Sequence, residues 1–238
     1  MLDTQYRMEP HIAAFLSKHM YMKKLKSAEG LYEQRKKICE KQPAKNMPIS
    51  IADTTGMLTS FHRTISGSYF NILTAFCSVF LAQKPAESFD VGIITPYREQ
   101  AKLISSIIKD ILETGKNVKI ISSTVHSFQG SEQDIIIYDA PDCYIRPYPT
   151  QLLSDNKNQI ADRLFNVAMS RAKGKFIALM NYDYLKGLLS KERLFSKFFV
   201  QQKQHKNEIL NEQIFNTDKN VCLRKFNEEE AEQRFIMI

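Results

Sequence analysis

Four short segments of the chain carry side chains suited to holding a nucleotide or a nucleic acid. In the first, Tyr6 stands beside Arg7, just before a stretch of helical character from His11 to His19. A tyrosine ring offers a flat apolar face to a base, and a planar guanidinium offers paired hydrogen bonds to a phosphate. The alternative is a helix-start segment with a surface arginine, and the residue types alone leave both interpretations open.

Two further arginines, Arg163 and Arg171, fall within one predicted helix, and their spacing of eight residues places them on roughly the same side of it. Phosphoryl transfer spreads negative charge over the γ-phosphate oxygens, and an arginine delivered from a second domain neutralises that charge when the cleft closes. For Arg163, an ion pair with Asp162 or Glu132 is equally compatible with the sequence.

The segment around Gly130 and Glu132 follows a predicted strand, so we expect it outside the carboxyl ends of the strands, where open parallel sheets bind ligands. Glycine allows the backbone to approach a phosphate or sugar, and a carboxylate accepts hydrogen bonds from ribose hydroxyls. His126 has no cysteine or histidine partner nearby, so we interpret it as structural and expect no metal site.

In another segment Thr95 ends a predicted strand and is followed by Pro96 and Tyr97. A threonine hydroxyl can donate to a phosphate oxygen, a contact that positions a nucleic acid without selecting its sequence. Tyr97 either stacks on a base or packs beneath the following helix, and we favour packing.

Together, and in their order along the chain, the segments resemble the motifs of the second, C-terminal RecA-like motor domain of superfamily 1 helicases. The resemblance is to the branch with the nonsense-mediated-decay helicase and related DNA and RNA helicases. The motifs are Leu-Asp-Thr-Gln-Tyr-Arg-Met-Glu-Pro at 2–10, Val-Gly-Ile-Ile-Thr-Pro-Tyr-Arg-Glu-Gln at 91–100, Ser-Thr-Val-His-Ser-Phe-Gln-Gly-Ser-Glu-Gln-Asp at 123–134, and Arg-Leu-Phe-Asn-Val-Ala-Met-Ser-Arg-Ala-Lys at 163–173. Glu9 stands where the family usually has a histidine, and we expect this departure to be tolerated.

This resemblance implies roles at an ATP site. Tyr6 would stack on adenine, Arg7 would reach the terminal phosphate, and Arg171 would be the catalytic arginine finger. Gly130 would contact the γ-phosphate region and Glu132 the ribose. The ATP-binding residues that the resemblance implies are Gln5, Tyr6, Arg7, Gly130, Glu132 and Arg163.

The same resemblance implies that part of the domain lines a groove for single-stranded DNA or RNA. The nucleic-acid-binding residues that it implies are Thr95, Pro96, Tyr97, Thr124, Val125 and Ser127. One segment, 123–134, would then contact both ligands and couple them.

Between the motifs, short apolar runs alternate with amphipathic runs, a pattern typical of a parallel sheet with crossover helices. Strands are predicted at 49–52, 91–95, 118–122, 134–138 and 175–180, and helices at 68–83, 98–112 and 159–171. In the first helix, the apolar face is predicted to contain Phe70, Leu73, Phe76, Cys77 and Phe80. With the resemblance, this predicts an α/β, RecA-like fold of the P-loop NTPase type, with a mostly parallel sheet, helices on both faces and no P-loop.

The predicted motor domain covers residues 1–204. It includes a lysine-rich surface excursion at 23–48, which has too little apolar periodicity for core, and a long loop at 141–158. A charged C-terminal extension is predicted at 205–238.

Composition favours a polyanionic partner only weakly. The 238 residues carry a formal net charge of +7, and lysine and arginine neutralise phosphates, yet many basic proteins bind no nucleic acid. Four widely spaced cysteines form no Cys-x-x-Cys pair. With no signal peptide and no run long enough to span a membrane, we expect a soluble, cytoplasmic protein without a membrane partner.

No Gly-Lys-Ser/Thr sequence occurs in the chain, although a motor of this type needs that phosphate-binding loop. We therefore expect ATP with Mg²⁺ as the cofactor, the magnesium being held by a first RecA-like domain with Walker A and B motifs. That domain would belong to the same longer protein or to a separate chain, and the 238 residues alone would not hydrolyse ATP. The alternative is a degenerate, standalone nucleic-acid-binding module, but retention of an arginine finger favours the motor.

Overall fold

A computed structural model describes residues 3–57, 61–112, 119–128, 130–144, 147–154 and 159–204. Its strands are β1 (Thr4–Gln5), β2 (Lys26–Ser27), β3 (Ile49–Asp53), β4 (Phe61–Arg63), β5 (Tyr69–Asn71), β6 (Val91–Thr95), β7 (Ile120–Thr124), β8 (Gln133–Ala140) and β9 (Ala172–Met180). Its helices are α1 (Pro10–Met20), α2 (Leu31–Cys39), α3 (Ile72–Ala86), α4 (Arg98–Leu112), α5 (Gln151–Ser154), α6 (Ile160–Met169), α7 (Tyr182–Leu188) and α8 (Leu194–Gln204).

The central sheet has five parallel strands in the order β3-β9-β8-β6-β7. Successive side chains of a strand point to opposite faces, so Ile135 and Ile137 enter one core while Ile136 and Tyr138 enter the other. Helices α2, α3 and α4 contribute to the first core, and α1, α6, α7 and α8 contribute to the second. The predicted α/β fold, with a parallel sheet and helices on both faces, is confirmed.

Helix α3 differs from its prediction in its start, its end and part of its buried face, although Cys77 is buried as predicted. Residues Tyr69–Asn71 form a strand instead of the first turn of the helix. The helix begins at Ile72 because the Asn71 side chain caps it by accepting hydrogen bonds from the amides of Leu73 and Thr74. Phe76 and Phe80 are 48% and 37% exposed. The residues buried instead include the small Ala75, Ser78 and Ala82, which allow the helix to approach its neighbours closely.

The predicted surface excursion, 23–48, contributes to the core at a few positions, contrary to expectation. Leu31, Ile38 and Ala44 are buried, although most residues of the segment are exposed or half-buried. The buried ammonium of Lys175 on β9 attaches the segment to the central sheet by donating hydrogen bonds to the carbonyls of Lys41, Pro43 and Ala44. These contacts were not predicted because three buried residues spread over fourteen positions give almost no periodic signal.

Gly174 on β9 makes room for α2. A Cβ atom at this position would lie 2.6 Å from both Cβ and Cγ2 of Ile38. We expect Gly174→Ala to lower the free energy of unfolding by about 1–3 kcal/mol, the usual cost of overpacking a core, as measured by urea denaturation. Gly187→Ala is the control: nothing lies within 4 Å of its Cβ position in α7, and we expect a small gain in stability. Equal effects of the two substitutions would contradict the packing argument.

The long loop predicted at 141–158 is anchored where it is described. Asp142 and Thr150 are buried, and the Thr150 amide donates to Asp142 Oδ1 at 2.8 Å. The loop also contains α5. The extension predicted at 205–238 lies outside the described residues. Among the residues described, no helix is long and apolar enough to cross a membrane.

Candidate nucleotide and nucleic-acid sites

The motif 123–134 passes from one edge of the sheet to the other. Thr124 ends β7 at the carboxyl edge, and Gln133 begins β8, a parallel strand, at the amino edge. Residues 125–132 therefore return across a face of the sheet, where buried Phe128 packs so closely that a Cβ at Gly92 would lie 2.8 Å from its Cζ. The expectation that Gly130 and Glu132 lie at the carboxyl ends is wrong, because a short connection between parallel strands must end at the amino edge.

Three of the four motifs meet at this amino edge. Arg7 Nε donates to Glu132 Oε2 at 2.5 Å, and Lys173 Nζ lies 3.5 Å from Glu132 Oε1. Backbone hydrogen bonds join the same segments, from the Glu9 amide to the Lys173 carbonyl and from the Gln133 amide to the Arg171 carbonyl. Segments far apart in sequence thus form one charged cluster.

Arg171 lies in the turn between α6 and β9, just beyond the helix in which it was predicted. It is half-buried, and its Nε is buried with no hydrogen-bond partner among the residues that the structure describes. Burial lowers the pKa of this guanidinium, and the positive charge of Arg7 lowers it further. An unpartnered guanidinium nitrogen beside a second arginine is an arrangement that an anion would stabilise.

Glu132 is the carboxylate that now balances these cations. Partial burial alone would raise its pKa, but the hydrogen bond from Arg7 and the charges of Arg7 and Lys173 outweigh burial and lower the pKa. Glu132 is therefore ionised at neutral pH. Lys173 is also a member of the cluster and lies 3.9 Å from Asp134.

Tyr6 is presented to solvent by a tightly bonded loop. Its side chain is 73% exposed. The neighbouring Gln5 accepts hydrogen bonds from the amides of Arg7 and Met8, and donates to the Met8 carbonyl and to Ser27 Oγ. These four hydrogen bonds fix the conformation of the loop that carries Tyr6 and Arg7, so Gln5 has a structural role in this loop.

Arg35 on α2 is a second support for this loop, and the sequence analysis missed it. Its Nε donates to the Arg7 carbonyl at 3.1 Å and its Nη2 to the Tyr6 carbonyl at 3.5 Å. Nothing in the local sequence marks Arg35, because the contact depends on how α2 packs.

Glu9, the departure from the family's usual histidine, has a structural role in this chain. It caps α1 by accepting hydrogen bonds from the amides of His11 and Ile12.

The two remaining ATP-site candidates stand apart from the charged contacts. Arg163 is exposed in the first turn of α6. Its separation of eight residues from Arg171 would correspond to about 12 Å along the axis of a continuous helix. Asp162 pairs with Arg193 and Glu132 pairs with Arg7, so neither proposed ion pair of Arg163 forms in the described part of the chain. Gly130 is exposed and has a φ of +95°, a backbone conformation that favours glycine.

At the carboxyl edge, the ends of β6 and β7 bring two motifs together. Thr95 pairs with Thr124 across the strands. Thr124 Oγ1 donates to Ser127 Oγ at 3.0 Å, and these two side chains are accessible. Thr95, Pro96, Tyr97 and Val125 are buried, so their side chains cannot contact a strand in this conformation. These four predicted nucleic-acid-binding residues lie at the carboxyl edge, but in the interior of the protein rather than on its surface.

Tyr97 is a packing residue, as favoured from the sequence. It is 2% exposed, and its hydroxyl donates to Asp142 Oδ2 at 2.5 Å and contacts Thr150. Its ring meets those of Phe61 and Tyr69 edge-on. Burial, reinforced by the charge of Asp142, raises the pKa of the Tyr97 hydroxyl well above its usual value.

The cluster at the amino edge fits a phosphate rather than a metal ion. Its cations outnumber its carboxylates, and the residues described contain no group of three or more His, Cys, Asp or Glu side chains able to hold a metal.

Comparison with known proteins agrees with this geometry. A family profile described as "AAA domain" matches residues 1–183. The chain is 28% identical over 192 residues to the helicase sen1 of Schizosaccharomyces pombe, covering 78% of this chain and 11% of that protein. It is 30% identical over 192 residues to the regulator of nonsense transcripts 1 homolog of Drosophila melanogaster, covering 76% and 15% respectively.

A third relative, from Methanocaldococcus jannaschii, carries the name "Uncharacterized ATP-dependent helicase" and is 25% identical over 224 residues, covering 88% of this chain. The chain spans between 11% and 31% of the length of these three relatives. With motifs, parallel sheet and profile in agreement, the chain belongs to the AAA domain family and forms a RecA-like domain of the superfamily 1 helicases.

Proposed function

We propose that this chain is the second motor domain of an ATP-dependent DNA or RNA helicase, and that residues 1–204 form this domain. The observation that carries the proposal is the cluster of Arg7, Glu132 and Arg171, with an unpartnered guanidinium nitrogen, beside the exposed Tyr6. These are the groups that an adenine ring and a triphosphate require from a domain that lacks its own phosphate-binding loop.

ATP bound at the amino edge would use each group differently. The Tyr6 ring would stack on the adenine, because it is open to solvent on a loop held by Gln5 and Arg35. Arg7 and Arg171 would pair with the terminal phosphate oxygens, and Glu132 would accept hydrogen bonds from the ribose. Mg²⁺ supplies charge neutralisation of the β- and γ-phosphates and would be held by the Walker residues of a first domain.

Single-stranded nucleic acid would follow the opposite edge, where the accessible Thr124 and Ser127 offer hydroxyl donors to phosphates. The connection 125–132 joins the two edges, which are about 20 Å apart for six residues of strand. Because Phe128 packs against Gly92 along this path, a shift at one end is transmitted through a packed segment to the other. This would couple ATP binding to movement on the strand.

The experiment is to measure strand-stimulated ATP hydrolysis by the chain combined with a cognate first motor domain that carries Walker A and B motifs. We expect turnover only from the combination. Tyr6→Ala should raise the KM for ATP by roughly tenfold, a stacking loss of about 1.4 kcal/mol, with little change in kcat. Tyr6→Phe, which keeps the ring, should behave as wild type.

Comparable hydrolysis by the chain alone would contradict the shared-site proposal. Failure of any first domain to restore turnover, together with retained strand binding, would favour the standalone nucleic-acid-binding module. The formal net charge of +7 is compatible with that module, but Arg171 would have no use in it.

A further inference from the structure

A β-hairpin outside the four motifs lies at the carboxyl edge of the sheet. It consists of β4 and β5, Phe61–Arg63 and Tyr69–Asn71. Asn71 Nδ2 donates to the carbonyl of Pro141, directly after β8, at 3.1 Å. The Tyr69 ring lies 5.7 Å from that of Tyr97, two residues after β6. The hairpin therefore extends the same edge that carries Thr124 and Ser127.

The hairpin has an inner and an outer face. Phe61 pairs with Asn71, and both are buried on the inner face. His62 pairs with Phe70, and because side chains alternate along a strand these two rings belong to the outer face. Their centroids are 5.3 Å apart with an interplanar angle of 29°, His62 being exposed and Phe70 half-buried. The result is a stacked aromatic pair on the surface.

No acidic side chain of the hairpin opposes a polyanion near this pair. From Thr54 to Ala86 the sequence contains no aspartate or glutamate. Arg63 is exposed and its guanidinium lies 5.6 Å from the centre of the Tyr69 ring, but strand alternation places both residues with Phe61 on the face opposite the pair. Flat aromatic rings at the surface, with no carboxylate in the same stretch, can stack on a base of a single-stranded nucleic acid without selecting its sequence.

We propose that the outer face of the β4–β5 hairpin binds the single strand, with a base stacking on the Phe70–His62 pair. This rests on the proposed function in one respect, that the strand follows the carboxyl edge, and it adds contacts that no motif residue supplies. The buried Tyr97 then acts as the support beneath the hairpin rather than as a stacking residue.

The test is the affinity of the whole chain for a fluorescently labelled dT or rU 12-mer, measured by anisotropy at several salt concentrations. Phe70→Leu removes the ring but keeps apolar volume, and we expect the Kd to rise by about 5- to 150-fold, the range of one lost base stack. Phe70→Tyr should retain affinity.

Phe80→Ala is the matched control, since Phe80 is also a partly exposed phenylalanine but lies further along α3. The double variant Thr124→Ala, Ser127→Ala separately tests the motif edge, that is, the motif residues at the carboxyl edge of the sheet. Loss of affinity in this double variant with no change in Phe70→Leu would overturn the hairpin site and leave the proposed function standing. Loss in Phe70→Leu alone would support the hairpin and contradict the motif edge. No binding by the wild-type chain would overturn both.

Discussion

Replacing Arg171 by alanine should lower the kcat for ATP hydrolysis by the assembled two-domain motor by about 10³- to 10⁵-fold, the usual contribution of an arginine finger. The reason is that the guanidinium is held half-buried beside Arg7, with an Nε that has no hydrogen-bond partner among the described residues, so that it is positioned to pair with developing negative charge. Stopped-flow or steady-state turnover at saturating ATP and nucleic acid measures the loss.

The affinity for ATP should change much less than kcat, because the finger acts mainly on the transition state. Arg171→Lys keeps the charge without the planar fork and should recover only part of the rate. Lys18→Ala, an exposed cation on α1, is the control expected to leave turnover unchanged. Turnover by Arg171→Ala within tenfold of wild type would show that another group stabilises the transition state.

Replacing Asp139 by asparagine should make the protein more stable at pH 8 and remove part of its pH dependence. Asp139 is fully buried at the carboxyl end of β8, where Gln100 Nε2 donates to its Oδ2 at 2.6 Å. Burial raises the pKa of this carboxyl from 3.8 to about 7, and the charge of Asp142 adds to the effect.

The sign of the pH effect follows from proton binding. Between about pH 4 and pH 7 the folded state keeps the Asp139 proton while the unfolded state loses it, so the free energy of unfolding falls as pH rises through this window. The full loss is on the order of 4 kcal/mol and is reached above the folded-state pKa. Asparagine can still accept the hydrogen bond from Gln100 and carries no charge to bury.

Urea denaturation of wild type and Asp139→Asn at pH 5 and pH 8 measures this difference. We expect the two proteins to be similar at pH 5 and the variant to be more stable by a few kcal/mol at pH 8. Asp110→Asn, which changes an exposed carboxylate on α4, should not alter the difference between the two pH values. A variant that is destabilised equally at both pH values would mean that the Asp139 carboxyl does not titrate in this window.

Some elements could be predicted because their signals are local. The strand Val91–Thr95 and the helix Arg98–Leu112 agree with their predictions residue for residue. A strand buried on both faces is a continuous apolar run, and a helix with one buried face repeats its apolar residues at three and four. The motifs were likewise found from residue order alone, because each is a contiguous segment.

In α3 the same periodicity was misleading. Phe76 and Phe80 repeat at helical spacing, yet the helix buries Ala75, Ser78 and Ala82. Both stripes are apolar or small enough to face a core, and the choice depends on how closely the helix must approach the sheet and α4. That distance is a property of the packed protein and has no counterpart in the local pattern.

The site divides in the same way. Sequence by itself determined the family, and it predicted the roles of Tyr6, Arg7 and Arg171 and the two ligands of the motifs. Only the tertiary structure decided that Glu132 pairs with Arg7, that Arg35 supports the Tyr6 loop, and that Tyr97 is buried. These facts depend on contacts between residues tens to more than a hundred positions apart. Such contacts form only when the folded chain brings distant segments together. Residue types set what each side chain can do, and the packing of distant segments set which of them can reach a ligand.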